Sequence, residues 1–353
     1  MEKNNNVNNC TNIMEELNAK MVNVYLPVLL YLGTVMTLGV IENFIVIYVY
    51  YYKFDESATQ VFIVTLSACD FLTCIICIPM EIVILHFSFT FHSDIACRVV
   101  HFTTAVAVTN SAMIIFLISV DRFRLVCQPF NQQISPQNAK KILGFSAICS
   151  LILCTPSLFV YSKQNRMVKQ CGNIGEECSL GPYLNSAVYP FAYYILIVTV
   201  FSLVFILLVL IYIKIGRKIF QIYKAKKNNR ANTFLVFTML QSMLSDNDWV
   251  EDKEPATKQR RHSMHPNRTN LILFIITLVW CICFFPYFTA VFWRLLTKRF
   301  SETTSDKEKI LYKLLMCSYY LNGTLNPLVY GLFGRQFRIE LISLFHETSH
   351  FFK

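Results

Sequence analysis

Seven long apolar runs constrain this chain more than any single motif. They cover roughly 24–50, 59–86, 97–127, 140–161, 185–213, 269–296 and 310–332. Each is near or above the ~20 residues a helix needs to cross a hydrocarbon core. In lipid such a segment must satisfy its own backbone polar groups. The expected fold is therefore an all-α membrane protein, a bundle of seven transmembrane helices. A composition of 54% hydrophobic and only 15% charged residues is far from that of a soluble domain of this length.

The charges set an orientation. With the N-terminus outside, inner segments carry 20 of the 32 Lys and Arg residues and outer segments carry 12, which follows the bias toward positive cytoplasmic loops. The net charge of +10 then reports topology and attraction to anionic lipid, with no nucleic-acid partner implied. Residues 1–23 read as an extracellular tail that lacks the basic start and apolar core of a signal peptide. The seven-helix body spans 24–332, with a third cytoplasmic loop at about 214–268. Residues 333–353 read as a short amphipathic helix and tail, with Phe333, Phe337, Leu341, Leu344 and Phe345 on one face and Arg335 and Arg338 placed for headgroups. In this topology Asn9, in Asn9-Cys10-Thr11, is the glycosylation sequon on the outer side. Arg260-Arg261-His262-Ser263, in the third cytoplasmic loop, has the form of a basophilic kinase site.

The third run has chemistry at both ends. From Cys97 to Arg122 a helix covers about 37 Å at roughly 1.5 Å per residue. A cysteine stands at one mouth and the pair Asp121-Arg122 at the other. A cysteine on the oxidising side can be stapled to a loop, while a charged pair on the inner side can be read by a cytoplasmic partner. That asymmetry suits a transducer. Asn43 and Asp70 fall in the middle of the first two runs, where a polar group must face the bundle interior.

Together Asn43, Leu66-Ser67-x-x-Asp70, Cys97, Asp121-Arg122-Phe123 and Asn326-Pro327-Leu328-Val329-Tyr330, followed by Phe333 and Phe337, occur in an order that resembles the rhodopsin-like (class A) G-protein-coupled receptors. The resemblance covers about 24–346. It implies that the chain is no enzyme, that it sits in the plasma membrane, and that it turns extracellular ligand binding into activation of a heterotrimeric G protein. Arrestin and kinases are implied as further partners, and membrane lipid surrounds the bundle.

Several residue roles follow from the same resemblance. Arg122 is the switch, held at rest by Asp121; Phe123 stands where the family usually has Tyr. Tyr212, Trp280, Phe284, Pro286, Asn326, Pro327 and Tyr330 belong to the coupling machinery, with Trp280 and Phe284 exchanging the family's usual Phe and Trp. Asp70, Ser111, Asn322 and Asn326 form a candidate allosteric sodium site, although Gly323 lacks a hydroxyl that many relatives supply. Four outer cysteines allow three pairings; the resemblance favours Cys97 with Cys178 and leaves Cys171 for Cys10.

The family's ligand pocket maps onto Glu81, Thr104, Val108, Tyr287, Phe288, Met316 and Tyr320. Thr104 replaces the aspartate that pairs amines, and Tyr320 replaces the lysine that holds retinal, so the resemblance points to a peptide ligand. Glu81 and loop lysines offer it polar handles. Ser146 and its neighbours lack an expected Trp, and Val204 replaces an expected Pro. An orphan modulatory receptor and a seven-helix transporter or channel are the alternative readings.

Overall fold

The chain is described from a computed structural model that gives the backbone of residues 2–168, 173–180, 188–241, 266–297 and 305–351, with side chains over 12–165, 175–179, 192–222, 224–225, 271–293 and 305–344. It is an all-α membrane bundle with one β-hairpin. The helices are α1 (Glu2–Lys53), α2 (Ala58–Leu72), α3 (Ile78–His86), α4 (Asp94–Cys127), α5 (Pro136–Cys154), the single turn α6 (Ser157–Val160), α7 (Val188–Gln241), α8 (Pro266–Thr297), α9 (Asp306–Met316), α10 (Leu321–Phe333) and α11 (Arg335–Phe351).

Serine caps start four of them. Ser57, Ser93 and Ser135 accept from the backbone N–H three residues on, and Ser305 forms a reciprocal capping box with Glu308. Each side chain satisfies a donor that the first helical turn leaves open.

Three departures from the sequence reading have physical causes. The polar residues assigned to an outer tail continue α1 without a break, and Asn18 pins this extension by accepting from Phe89 N (2.9 Å) and donating to Thr90 Oγ1 (2.7 Å). The second span is not a regular helix, because a π-turn at Thr73–Cys77 joins α2 to α3 just before Pro79. The seventh run is broken: α9 ends at Met316, a 3-10 turn fills Ser318–Tyr320, and α10 resumes at Leu321. Six helices are thus long and apolar enough to cross a membrane by themselves among the described residues. The seventh crossing is made from two shorter pieces.

The core lies around α4, which packs on α2, α5, α7 and α8. Ile114, Ile115 and Ile118 of α4 meet Phe62 and Leu66 of α2 and Leu273 and Ile276 of α8. Outward faces carry large apolar residues toward the surroundings, as on α5 and α7, which is the pattern of a bundle solvated by lipid. After Gly334, α11 turns Phe337 inward onto Tyr50 and Tyr330, while Leu341 and Leu344 are partly buried against the same core. Phe337, Leu341 and Leu344 of the apolar face thus dock on the bundle; Ile339 and Ile342 are exposed apolar residues, and Phe333 ends α10. Phe345 lies outside the described side chains.

At the other end, β1 (Tyr161–Val168) and β2 (Asn173–Leu180) form an antiparallel hairpin with Lys163 opposite Cys178. It is fixed three ways. A disulfide joins Cys178 to Cys97 in the first turn of α4, with Cα atoms 5.5 Å apart. Glu176 exchanges backbone hydrogen bonds of 2.8 Å with Phe89 and Phe91. Its carboxylate meets Lys163 Nζ at 2.7 Å and His92 Nδ1 at 2.6 Å. Cys171 and the side chains of Asn9 and Cys10 lie outside the described residues, as does Ser263.

The hydrogen bonds from Lys163 and then His92 hold the Glu176 carboxyl below its ordinary range. A carboxyl with a depressed folded pKa contributes fully above its unfolded pKa, about 4.3, and loses that contribution as pH falls through the folded value. Protection of the hairpin amides from hydrogen exchange, corrected for intrinsic rate, is expected to stay level above about pH 4.3 and to fall below it. Glu176→Gln should lower protection at neutral pH and flatten the dependence; a wild-type profile retained in that variant would remove Glu176 as the anchor.

Candidate functional site

Three polar clusters interrupt the apolar interior, and each is assembled from different helices. The one furthest from the hairpin is built on Arg122 of α4. Its side chain is 4% exposed and donates to Asp121 Oδ2 at 2.5 Å and to Thr59 Oγ1 on α2. Thr59 also donates to Asp121 Oδ2 at 3.3 Å, closing a triangle across two helices. Arg122 Nε has no hydrogen-bond partner among the described residues, so this buried guanidinium is held through part of its donors.

Beside it, the Tyr212 hydroxyl on α7 accepts from Ser119 (3.2 Å), lies 2.8 Å from Thr277 Oγ1 and donates to Leu273 O at 3.1 Å. Tyr212 therefore bridges α4, α7 and α8. Phe123 lies under Lys214, whose ammonium is 5.9 Å from the ring centre. Tyr330 is fully buried beside Tyr50, with ring centres 5.6 Å apart, and its hydroxyl has no partner.

The second cluster sits on α2 and α10. Asp70, 4% exposed, accepts from Asn326 Nδ2 at 2.9 Å and has Ser111 as a hydrogen-bonding neighbour. The carbonyl oxygens Asn322 Oδ1 and Asn326 Oδ1 and the hydroxyl of Ser67 are buried and have no hydrogen-bond partner among the described residues. Asn43 on α1 ties this region together by donating to Gly39 O and Gly323 O. Gly323 packs closely on this carboxylate: a Cβ there would stand 3.2 Å from the Asp70 Cβ, so Asp70 would have to give by a few tenths of an ångström to admit one.

The third cluster lies toward the hairpin. Glu81 on α3 pairs with Lys313 on α9 at 2.9 Å. His101 on α4 stacks on Tyr161 of β1 at 3.8 Å between ring centres, and Tyr161 and Tyr194 share a 2.7 Å hydrogen bond. Of the other pocket residues, Thr104 and Val108 come from α4, Tyr287 and Phe288 from α8, and Met316 and Tyr320 from the broken seventh crossing. Tyr287 and Met316 border one apolar cluster with Val160, Tyr193 and Tyr194.

Between these clusters runs a chain of rings. Trp280 and Phe284 on α8 are 4.9 Å apart, and both stack on Phe201 of α7, at 6.0 and 5.6 Å. Phe284 continues to Tyr319 at 6.1 Å, and Tyr319 to Tyr287 at 5.3 Å. Pro286 and Pro327 each lie inside a helix, removing a backbone donor there. Just before the first of these prolines, Ser318 donates to Cys283 O at 2.8 Å and so ties the seventh crossing to α8.

Thr59, Thr277, Phe201, Ser318 and Tyr319 were not legible as site residues. Threonine and serine in helices normally bond back to their own turn, as Thr65 and Thr73 do here. Nothing in sequence spacing distinguishes those that reach across.

The tight fit at Gly323 gives a measurable consequence. Gly323→Val forces added volume against Asp70 and should destabilise by about 1–3 kcal/mol, read as a lower thermal unfolding midpoint. An unchanged midpoint would mean that α2 and α10 have room to part.

The chain's sequence matches the family described as 7 transmembrane receptor (rhodopsin family) over residues 42–330. It is 21% identical to the cholecystokinin receptor of Xenopus laevis over 96% of this chain and 81% of the relative. It is 23% identical to neuropeptide Y receptor type 1 of Xenopus laevis, over 89% and 79%, and 26% identical to the mesotocin receptor of Rhinella marina, over 98% and 82%. With a family match across most of its length, on a membrane bundle of the kind just described, this chain belongs to the rhodopsin family of seven-transmembrane receptors, which transmit a ligand signal to G proteins.

Proposed function

We propose that this receptor answers an extracellular peptide and activates a heterotrimeric G protein by releasing Arg122 from Asp121 and Thr59. The observation that carries the reading is the buried Arg122 triangle at the cytoplasmic end of α4, with one guanidinium nitrogen left unpartnered. Breaking the triangle costs little if a cleft receives the cation, and an outward swing of the inner half of α8 about Pro286 would open one. Tyr212 and Tyr330 are placed to bond the freed guanidinium.

The peptide reading draws on two sources. Similar receptors carry names such as neuropeptide Y receptor and QRFP-like peptide receptor. The pocket-level pair of Glu81 and Lys313 offers both signs of charge, so a peptide terminus or charged side chain can exchange with one partner. Contacts at Thr104, Val108, Tyr287, Phe288, Met316 and Tyr320 would then move Phe284 and Trp280 through the ring chain. A disulfide at the hairpin end belongs to an oxidising compartment. That supports a plasma-membrane protein with an outer N-terminal segment at 1–23, a cytoplasmic loop at about 214–268 and a cytoplasmic 333–353. Glycosylation at Asn9, and kinases and arrestin as inner partners, belong to the same topology, as does α11 lying at the inner membrane face.

The residues around Asp70 fit a small hard cation. A carboxylate, the Ser111 hydroxyl and two unpartnered amide oxygens on Asn322 and Asn326 are an all-oxygen set of the kind sodium takes. Sodium there would stabilise the resting arrangement, and linkage requires it to lower agonist affinity by the same factor by which agonist lowers sodium affinity. Agonist affinity is expected to be several-fold weaker in sodium than in choline at equal ionic strength, and Asp70→Asn should abolish the difference. A difference that persists in Asp70→Asn would leave the cluster as packing only.

The switch itself is tested by nucleotide exchange in membranes. Asp121→Asn and Thr59→Ala each remove a resting partner and should raise ligand-independent exchange, Asp121→Asn by more. Arg122→Ala should abolish agonist-driven exchange while surface level and agonist binding stay within about twofold. Full exchange in Arg122→Ala would overturn the mechanism.

A further inference from the structure

The end of the bundle away from the hairpin has no ion pair with which to close α8. Neither α7 nor α8 contains an aspartate or a glutamate, so Arg122 finds no carboxylate on either helix and is held on the side of α2 instead. The polar link between α4 and α8 at this level, among the described residues, is a line of hydroxyls. Ser119 stands one turn before Arg122 on the same face of α4, and its Oγ is 3.2 Å from the Tyr212 hydroxyl of α7. That hydroxyl is 2.8 Å from Thr277 Oγ1 of α8. Tyr212 and Thr277 both reach Leu273 O, at 3.1 and 3.0 Å, and Ser119 and Thr277 are buried.

Each hydroxyl has one proton to give, and one direction uses all of them: Ser119 donates to Tyr212, Tyr212 to Thr277, and Thr277 to the Leu273 carbonyl. The line therefore ends on a backbone oxygen of α8, and no donor is stranded in an interior where a stranded donor is costly. Its effect on Tyr212 is positional. The tyrosine oxygen is tethered to α8, and Arg122 donates to Asp121 and Thr59 but not to Tyr212. Thr277 and Leu273 lie one turn apart on α8, so a displacement of that part of the helix removes both from Tyr212 together.

We propose that Ser119 and Thr277 are positioning residues that keep the receptor at rest: they hold Tyr212 against α8 and away from Arg122, in the role that a carboxylate on α8 would otherwise fill. The inference rests on the reading of Arg122 as the switch and adds the step that precedes it. When α8 swings about Pro286, Tyr212 loses Thr277 and Leu273, and its oxygen becomes available to accept from the guanidinium. Ligand-independent nucleotide exchange per surface receptor is measured in membranes for Thr277→Val, Thr277→Ser and Ser119→Ala, and for Thr277→Val in a Tyr212→Phe background. In purified full-length receptor without G protein, the α4–α8 separation is followed by pulsed electron paramagnetic resonance between genetically encoded labels at Gln128 and Leu271.

Thr277→Val keeps the side-chain shape and removes the hydroxyl; it is expected to raise exchange about fivefold, the effect of one hydrogen bond on an equilibrium, and to populate the longer separation without agonist. Thr277→Ser, which restores the hydroxyl, should match wild type, and Ser119→Ala should raise exchange by less, because Tyr212 keeps both its groups on α8. In the Tyr212→Phe background Thr277→Val should give no rise, since there is no tyrosine to release. Thr289→Val removes an α8 hydroxyl bonded within its own turn and should leave exchange unchanged. A rise in the Tyr212→Phe background or in Thr289→Val would mean loosened packing and would overturn the proposal, as would wild-type exchange and separation in Thr277→Val. A longer separation with unchanged exchange would uphold the lock and overturn the Arg122 reading instead.

Discussion

A bilayer offers no water to an amide or a charge, and the rest of this structure follows from that. Backbone groups are satisfied within helices, so the crossing elements are helical wherever they meet lipid. Where the backbone departs from the regular helix, another part of the protein is at hand. The π-turn at Thr73–Cys77 is packed with Cys74 and Cys77 buried against α1, and Gly39 lies so close to Cys74 that its absent side chain is part of the fit. The 3-10 turn at Ser318–Tyr320 is likewise buried, and Tyr31 of α1 donates to Cys317 O at its start. Both breaks within the crossings thus pack on α1 along one side, while Ile75 and Ile76 of the first face outward.

The same constraint sorts the side chains. A lone buried carboxylate or guanidinium in this setting is unfavourable by several kcal/mol, so ionisable residues gather. Asp70 collects Asn326 and Ser111, Asp121 collects Arg122 and Thr59, and Glu81 collects Lys313. These three groups stand at three depths along the bundle. Each is held by at least two crossings except the Asp121-Arg122 contact itself, which is made between neighbours in sequence and shared with α2 only through Thr59. Its hold on a second crossing therefore rests on the single hydroxyl of Thr59.

How much of this could be read beforehand varied with the physics involved. The crossings were legible because lipid demands length and apolarity, both of which are one-dimensional. The charged and carboxamide members of the clusters were legible because each is conspicuous in an apolar run. Their hydroxyl partners were not, since Thr59, Thr277 and Ser318 can be satisfied within their own helix and only packing tells which of them are shared. The hairpin was not legible either. The segment YSKQNRMV has no clean alternation of apolar and polar residues; it becomes a strand because β2, held by Cys97 and by Glu176, offers it a fixed edge. The apolar face of α11 could be read from its spacing, but whether it meets lipid or the bundle depends on the turn at Gly334, which brings Phe337 back onto Tyr50.

The exchange of Trp280 and Phe284 relative to related receptors shows how contact is kept when identity changes. Both side chains sit on one face of α8 one turn apart, and both stack on Phe201. The total aromatic surface between α7 and α8 is therefore preserved, while the larger ring sits one turn further from the hairpin. There Trp280 is buried and its indole N–H has no partner among the described residues, a cost that Phe284, with no polar atom to satisfy, does not incur. The chain thus places its wholly apolar ring nearer the hairpin end of the bundle and its unsatisfied donor in the other half.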